Sequence, residues 1–389
     1  MAKALDGALP DSSFLTRSMH SVLTLHLALG LVALLGAVTF FLGTCWDIQW
    51  HSLIGRDRTL IPPHILMLTG VGLSGIAALS AILIETLWSR RNPTVAQNST
   101  SFADAFHGSL GAYLAGFAAL NAAIAFPLDA YWHALYGIDV AILAPFHVMF
   151  VAGMALVALG SAYMLVSAAH LASDEGAQAA RRAASIGVVV ALATMMSLFT
   201  FLLFELLGRR GYIDLGFLSV NIFMFFAALL GTWTFVAAKQ AISWRWAATS
   251  VVAVYYLLAL IVNFYVPPVT GILMNTEHLT FRQDNPGVAI VTFEWPLLPI
   301  LAAVVIDIVT QIARRKGWSL RRLIITEGTI AIIGFVPVLL WSPAATLRLF
   351  HNLGFVGFIV TLLLGWLGSL LGTWFGQRMG SSMQQVERA

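Results

Sequence analysis

The stretch "DIQWHSLIGRDRTLIPPH", residues 47–64, separates two long apolar runs and holds two aspartates, two histidines and two arginines. Each flanking run exceeds the roughly 18 residues that cross a bilayer as a helix, so the stretch is a turn at a membrane boundary. Ionisable groups at that depth cost free energy unless they pair or bind a cation, which makes them a functional hypothesis by default. The composition outside the stretch agrees. Of 389 residues, 59% are hydrophobic and 10% charged, against about 25% charged in an average soluble protein. That excludes a soluble globular domain and predicts an all-α polytopic transmembrane helical bundle with the lipid bilayer as its first partner.

Apolar runs predict about ten spans, near 19–45, 62–87, 109–128, 143–171, 183–207, 214–238, 246–266, 288–312, 321–342 and 350–376. The first run is too long for a signal-peptide core, so it is expected to stay as the first span. Fifteen of the 21 Lys and Arg fall on one side of this topology, among them Arg90, Arg91, Arg181, Arg182, Lys239, Arg245, Arg314, Arg315 and Lys316. The positive-inside rule then places both termini in the cytoplasm and residues 47–64 at the extracytoplasmic face. A net charge of only +3, spread over loops, fits topology and gives no reason to expect a nucleic-acid partner. The single cysteine, Cys45, excludes a disulfide framework and any multi-cysteine zinc or iron–sulfur site. Tryptophans at span ends, such as Trp46, Trp88 and Trp341, suit an aromatic belt. The polar loop 170–182 divides the chain into a four-span unit, 1–175, and a six-span unit of unassigned role, 176–389.

A second stretch, "DAYWHALYGIDVAILAPFH" at residues 129–147, repeats the first. Asp47 precedes His51 by four and a Pro-Pro pair leads into His64. Asp129 precedes His133 by four and Pro145-Phe146 leads into His147. Residues four apart share one helix face. Proline suits the first turn of a helix, where no N–H partner is available, so His64 and His147 start the returning spans and face back across each hairpin. Each unit thus brings one carboxylate and two imidazoles towards one point, which is the donor set of a metal site with open positions. The residues alone admit copper, zinc or iron. Asp57, Asp139 and Arg56 are expected to support the imidazoles from outside the ligand set.

Asp47-x3-His51-x12-His64 resembles the copper-ligand motif of the C subunit of the particulate methane and ammonia monooxygenases. The likeness includes Trp50-His51, Arg56-Asp57 and Pro62. Asp129-x3-His133-x13-His147 resembles the other metal site of that subunit, where the family usually has Asn at the first position, and Ala144-Pro145-Phe146-His147 matches its ending. The resemblance covers roughly residues 20–170. It implies copper at two nearby sites in a helical bundle of a bacterial cell membrane, and dioxygen activation for oxidation of a small apolar substrate. It also implies further monooxygenase-type subunits or a homo-oligomer as partners. The cupredoxin-like domains of that family's B subunit have no counterpart here. Read without the family, the same residues also suit a non-catalytic membrane copper-handling protein or a zinc-dependent intramembrane hydrolase.

Other polar residues have simpler expected roles. His26 is expected to hydrogen-bond a neighbouring helix. Glu85, Asp307 and Glu327 are expected to pair with arginines near the inner face. Cys45, two residues before Asp47, is expected to be a packing residue.

Overall fold

The computed structural model describes residues 12–54, 60–137, 144–207, 211–280, 297–341 and 353–385. They form eleven helices and two short hairpins: α1 (Ser12–Leu53), α2 (Pro62–Ser89), α3 (Pro93–Gln97), β1 (Thr100–Phe102), β2 (Phe106–Gly108), α4 (Leu110–Tyr136), α5 (Pro145–Asp174), α6 (Gln178–Leu207), β3 (Tyr212–Asp214), β4 (Ser219–Asn221), α7 (Phe223–Ala241), α8 (Ala247–Thr276), α9 (Leu297–Lys316), α10 (Leu320–Trp341) and α11 (Gly354–Gln385). The class is all-α. Each strand pair is an isolated antiparallel hairpin of three residues a side. Among the described residues eight helices, α1, α2, α4 to α8 and α11, are long and apolar enough to cross a membrane, as an integral membrane protein requires.

Each of the ten apolar runs contains a helix, but several limits move. Helix α4 continues through Pro127 to Tyr136, and α8 through Pro267 and Pro268 to Thr276, where the sequence reading ended those spans at 128 and 266. Proline inside a helix removes one hydrogen bond and crowds the preceding turn. Spanning helices tolerate it because neighbouring helices re-satisfy the freed groups. Residues 214–221, expected to begin a span, instead belong to the β3–β4 hairpin. Its turn is closed by Gly216 at φ 80° and by the Asp214 carboxylate, which accepts from the Gly216 N–H at 2.9 Å. Helices α9 and α10 carry Asp307, Arg314, Arg315 and Lys316, and Arg321, Arg322 and Glu327.

Helices α5 and α6 occupy the middle of the bundle, with 72% and 78% of their most apolar windows buried, against 28% for α11. The largest core cluster runs from Leu34 of α1 through α5 and α6 to Val266 of α8, so both halves of the chain share it. In lipid the close fit of small residues, and not exclusion from water, drives such contacts. On α11, Gly368, Gly372, Gly376 and Gly380 recur every four residues. A Cβ on each would collide with the carbonyl oxygens of Phe225, Leu229, Trp233 and Ala237 along α7.

Helices α1 and α2 cross in the same way. A Cβ at Gly70 would lie 2.5 Å from the Gly36 carbonyl oxygen and 2.7 Å from the Phe40 nitrogen. Both obstacles are backbone, so a larger side chain must push the helices apart. Gly70→Leu is expected to destabilise the protein by about 1–3 kcal/mol or more, read as a lower thermal midpoint in detergent. Because His64 rides on α2, the same variant is expected to loosen metal at the first triad while the second retains it.

Candidate metal centres

Helix α1 runs past the end of its apolar segment to Leu53, which carries Asp47 and His51 on one face of the same helix. Helix α2 starts at Pro62, with Ile61 in an extended conformation before it, so His64 occupies the third helical position. Across this hairpin, Asp47 Oδ1 lies 3.3 Å from His51 Nε2 and 3.0 Å from His64 Nε2. The two imidazole centroids are 6.0 Å apart.

The second hairpin repeats the arrangement. Helix α4 carries Asp129 and His133, and Gly137 at φ 84° ends it. Helix α5 starts at Pro145 and puts His147 at its third position. Asp129 Oδ2 is 3.3 Å from His133 Nε2, and Oδ1 is 3.2 Å from His147 Nε2. The imidazole centroids are 5.9 Å apart. In each triad one donor atom per residue lies within 4.8 Å of the other two, and among the described residues these are the two groups that meet that test.

Three observations bear on whether these residues suit a metal ion. First, Asp47 Oδ1 and Asp129 Oδ1 are buried yet lack a hydrogen-bond partner, although imidazole nitrogens stand within 3.0 to 3.3 Å. The carboxylate oxygen and the two imidazole nitrogens of each triad stand close enough to share one ion. Secondly, His133 Nδ1 is 3.2 Å from the Gly137 carbonyl oxygen. A carbonyl only accepts, so Nδ1 carries a proton, and Nε2 is the ring nitrogen that faces Asp129 and could ligate an ion. The carbonyl is also the usual outer partner of a ligating histidine. Thirdly, a hard or borderline cation about 2.1 Å from each donor separates those donors by roughly 3–4 Å, which this spacing matches. The donor set fits a divalent metal.

The two triads are linked by a feature that the repeat did not reveal. Phe126, three residues before Asp129, meets the His64 ring edge-on at 5.8 Å, and Phe150, three residues after His147, lies 5.7 Å from the His147 ring. The two phenylalanines are 5.2 Å apart. An apolar wall therefore separates the centres, and one residue on each side touches a ligand. The i±3 spacing from Asp129 and His147 was the available signal. The second half of the chain also reaches the first triad. Thr270 of α8 donates to Gln49 Oε1 at 2.8 Å, and Tyr265 meets Trp46 edge-on at 5.8 Å. Both contacts hold the turn of α1 that carries Asp47, and nothing in the sequence pattern pointed to them.

The remaining expected residues are distributed as follows. Arg56, Asp57 and Asp139 lie outside the described residues. Cys45 is fully buried in the core, as a packing residue should be. His26 does bond neighbouring helices, through Glu85 and Ser167. The expected arginine partners are replaced by others. Glu85 pairs with His26, Asp307 with Lys239 at 3.3 Å, and Glu327 accepts from Thr310 at 2.6 Å and Gln377 at 3.3 Å. Arginine side chains stay at the wet helix ends, where hydration is cheaper than burial.

His51→Ala and His133→Ala are each expected to remove one metal equivalent and leave the other, measured by elemental analysis of purified protein. Simultaneous loss from either variant would mean one shared centre. Comparison of the chain with protein-family models, with curated proteins and with solved structures found no match.

Proposed function

We propose that this chain is a copper-binding integral membrane protein of the kind that the C subunit of the particulate methane and ammonia monooxygenases represents. In this reading it takes part in activating dioxygen to oxidise a small apolar substrate. The observation that carries the reading is the pair of convergent Asp–His–His triads, whose spacings and order follow that family's motifs. Copper bound there would supply one-electron redox chemistry and Lewis acidity at positions the protein leaves open.

The chain's own residues perform the rest. Asp47 and Asp129 bring the negative charge that makes a cation worth more than a proton at each site. His51, His64, His133 and His147 bring neutral nitrogens, and the Gly137 carbonyl holds His133 in the required tautomer. Phe126 and Phe150 keep water from the space between the centres and offer an apolar surface beside both. A small hydrocarbon or ammonia reaches that surface from the lipid side, through helices whose outer faces are apolar.

The topology belongs to the same proposal. Ten crossings, with α9 and α10 joining the eight long apolar helices, put both termini in the cytoplasm and both triads at the extracytoplasmic face of a bacterial cell membrane. The pairing of Lys239 with Asp307 supports α9 as a span, because it neutralises the acid inside the bundle. Electrons come from a partner, either further monooxygenase-type subunits or a second copy of the chain.

Purified protein loaded with copper, given a reductant and a short alkane, alkene or ammonia, is expected to consume oxygen in step with substrate oxidation. Asp47→Ala or Asp129→Ala is expected to lower that rate at least tenfold. Copper bound without oxygen uptake in any partner's presence would replace this reading with copper handling. Zinc in place of copper would replace it with hydrolysis.

A further inference from the structure

A second ionisable cluster lies at the far end of the same helices. His26 stands 21 residues before Asp47 on α1, about 30 Å along the helix axis, which is close to the thickness of a bilayer core. His26, Glu85 and Ser167 come from α1, α2 and α5, the helices that carry four of the six triad residues. They are 1%, 2% and 0% exposed. His26 Nε2 is 2.7 Å from Glu85 Oε1, and His26 Nδ1 is 2.9 Å from Ser167 Oγ.

This trio differs from the buried Lys239–Asp307 pair. Asp307 accepts from the Ala248 and Thr249 backbone N–H groups, from the Thr249 hydroxyl and from Lys239, which makes it a fixed cap on α8. The His26 cluster has a movable part. With the imidazole neutral, Nε2–H donates to Glu85 and the Ser167 hydroxyl donates to Nδ1. With the imidazole protonated, Nδ1–H donates and the same hydroxyl accepts. One rotation of a hydroxyl satisfies both charge states. The trio also has an entrance. A narrow cleft of about 20 Å³ reaches it, lined by Val22, Thr94, Asn98, Ser99 and Leu171 as well as the three polar residues. That is room for about one water, with the polar side chains of the trio as its partners. Glu85 acts electrostatically on a further titratable group, Tyr113 of α4, while the α3 residues along the cleft are uncharged.

We propose that His26, Glu85 and Ser167 form a proton-binding site of this chain, loaded through the cleft from the end of the bundle opposite the metal triads. The ligand is a proton carried by water. It rests on the imidazole–carboxylate pair, and Ser167 turns to match. Loss of that proton leaves the Glu85 carboxylate facing a neutral ring between α1, α2 and α5. The joint that ties those helices therefore responds to pH on one side of the membrane. This does not depend on which metal the triads hold.

Deuterium exchange at the C2 carbon of His26 tests it, measured by mass spectrometry on the full chain in lipid nanodiscs between about pH 5 and about pH 9, the span that brackets imidazole titration. The expected rate rises with pH along a single titration curve. Glu85→Gln is expected to lower the midpoint by about one pH unit or more, the effect of losing one close carboxylate. Leu171→Trp, which fills the cleft, is expected to slow exchange several-fold at every pH and leave the midpoint in place. A His26 that stays protected at every pH in the unmodified protein would overturn the proposal, as would a midpoint that Glu85→Gln does not move.

Discussion

A carboxylate and two imidazoles held together in an apolar bundle carry a cost that only a positive charge between them offsets. This constraint is met twice, at Asp47 and at Asp129, and much of the architecture around it follows. Helix α1 must remain helical beyond its apolar segment to keep Asp47 and His51 on one face. Helix α4 must pass through Pro127 to do the same for Asp129 and His133. The returning helices must begin at a proline so that the histidine at the third position looks back across the hairpin. Close crossings such as Gly36 with Gly70 then fix how far apart the two halves of a hairpin can sit.

The second half of the chain has a physical relation to these sites even though it holds neither triad. Through Thr270 and Tyr265, α8 grips the turn of α1 on which Asp47 sits. Its own position is set by Asp307 of α9, which caps its first turn, and by Lys239 of α7, which neutralises Asp307. The glycine ladder of α11 against α7 closes this series. A change among α7, α9 and α11 can therefore reach the first triad through packed backbone, whereas the second triad sits on α4 and α5.

The triads were legible in the sequence because helix periodicity and the proline rule are local. His51 follows Asp47 at the fourth position, His64 is the third residue of its helix, and no long-range information is needed to bring them together. Residues whose roles depend on a neighbour in space were not legible. Phe126 and Phe150 look like ordinary core aromatics until the hairpins are placed side by side. Glu85 was expected beside an arginine, and the structure gives it His26 instead, because a helix crossing sets the partner and not proximity in sequence. The limit set at 266 failed at Pro267-Pro268 for a related reason, since α8 continues to Thr276. In water proline ends a helix, but in a packed membrane bundle the neighbouring helices sustain it.

The central claim is that each triad closes on a metal ion, and X-ray absorption at the copper edge of the copper-loaded chain tests it most directly. The account predicts two coppers per chain, each with nitrogen and oxygen neighbours near 2.0 Å and with the outer-shell scattering of two imidazoles. Copper that binds without imidazole scattering, or a chain that takes up no divalent metal at all, would contradict it.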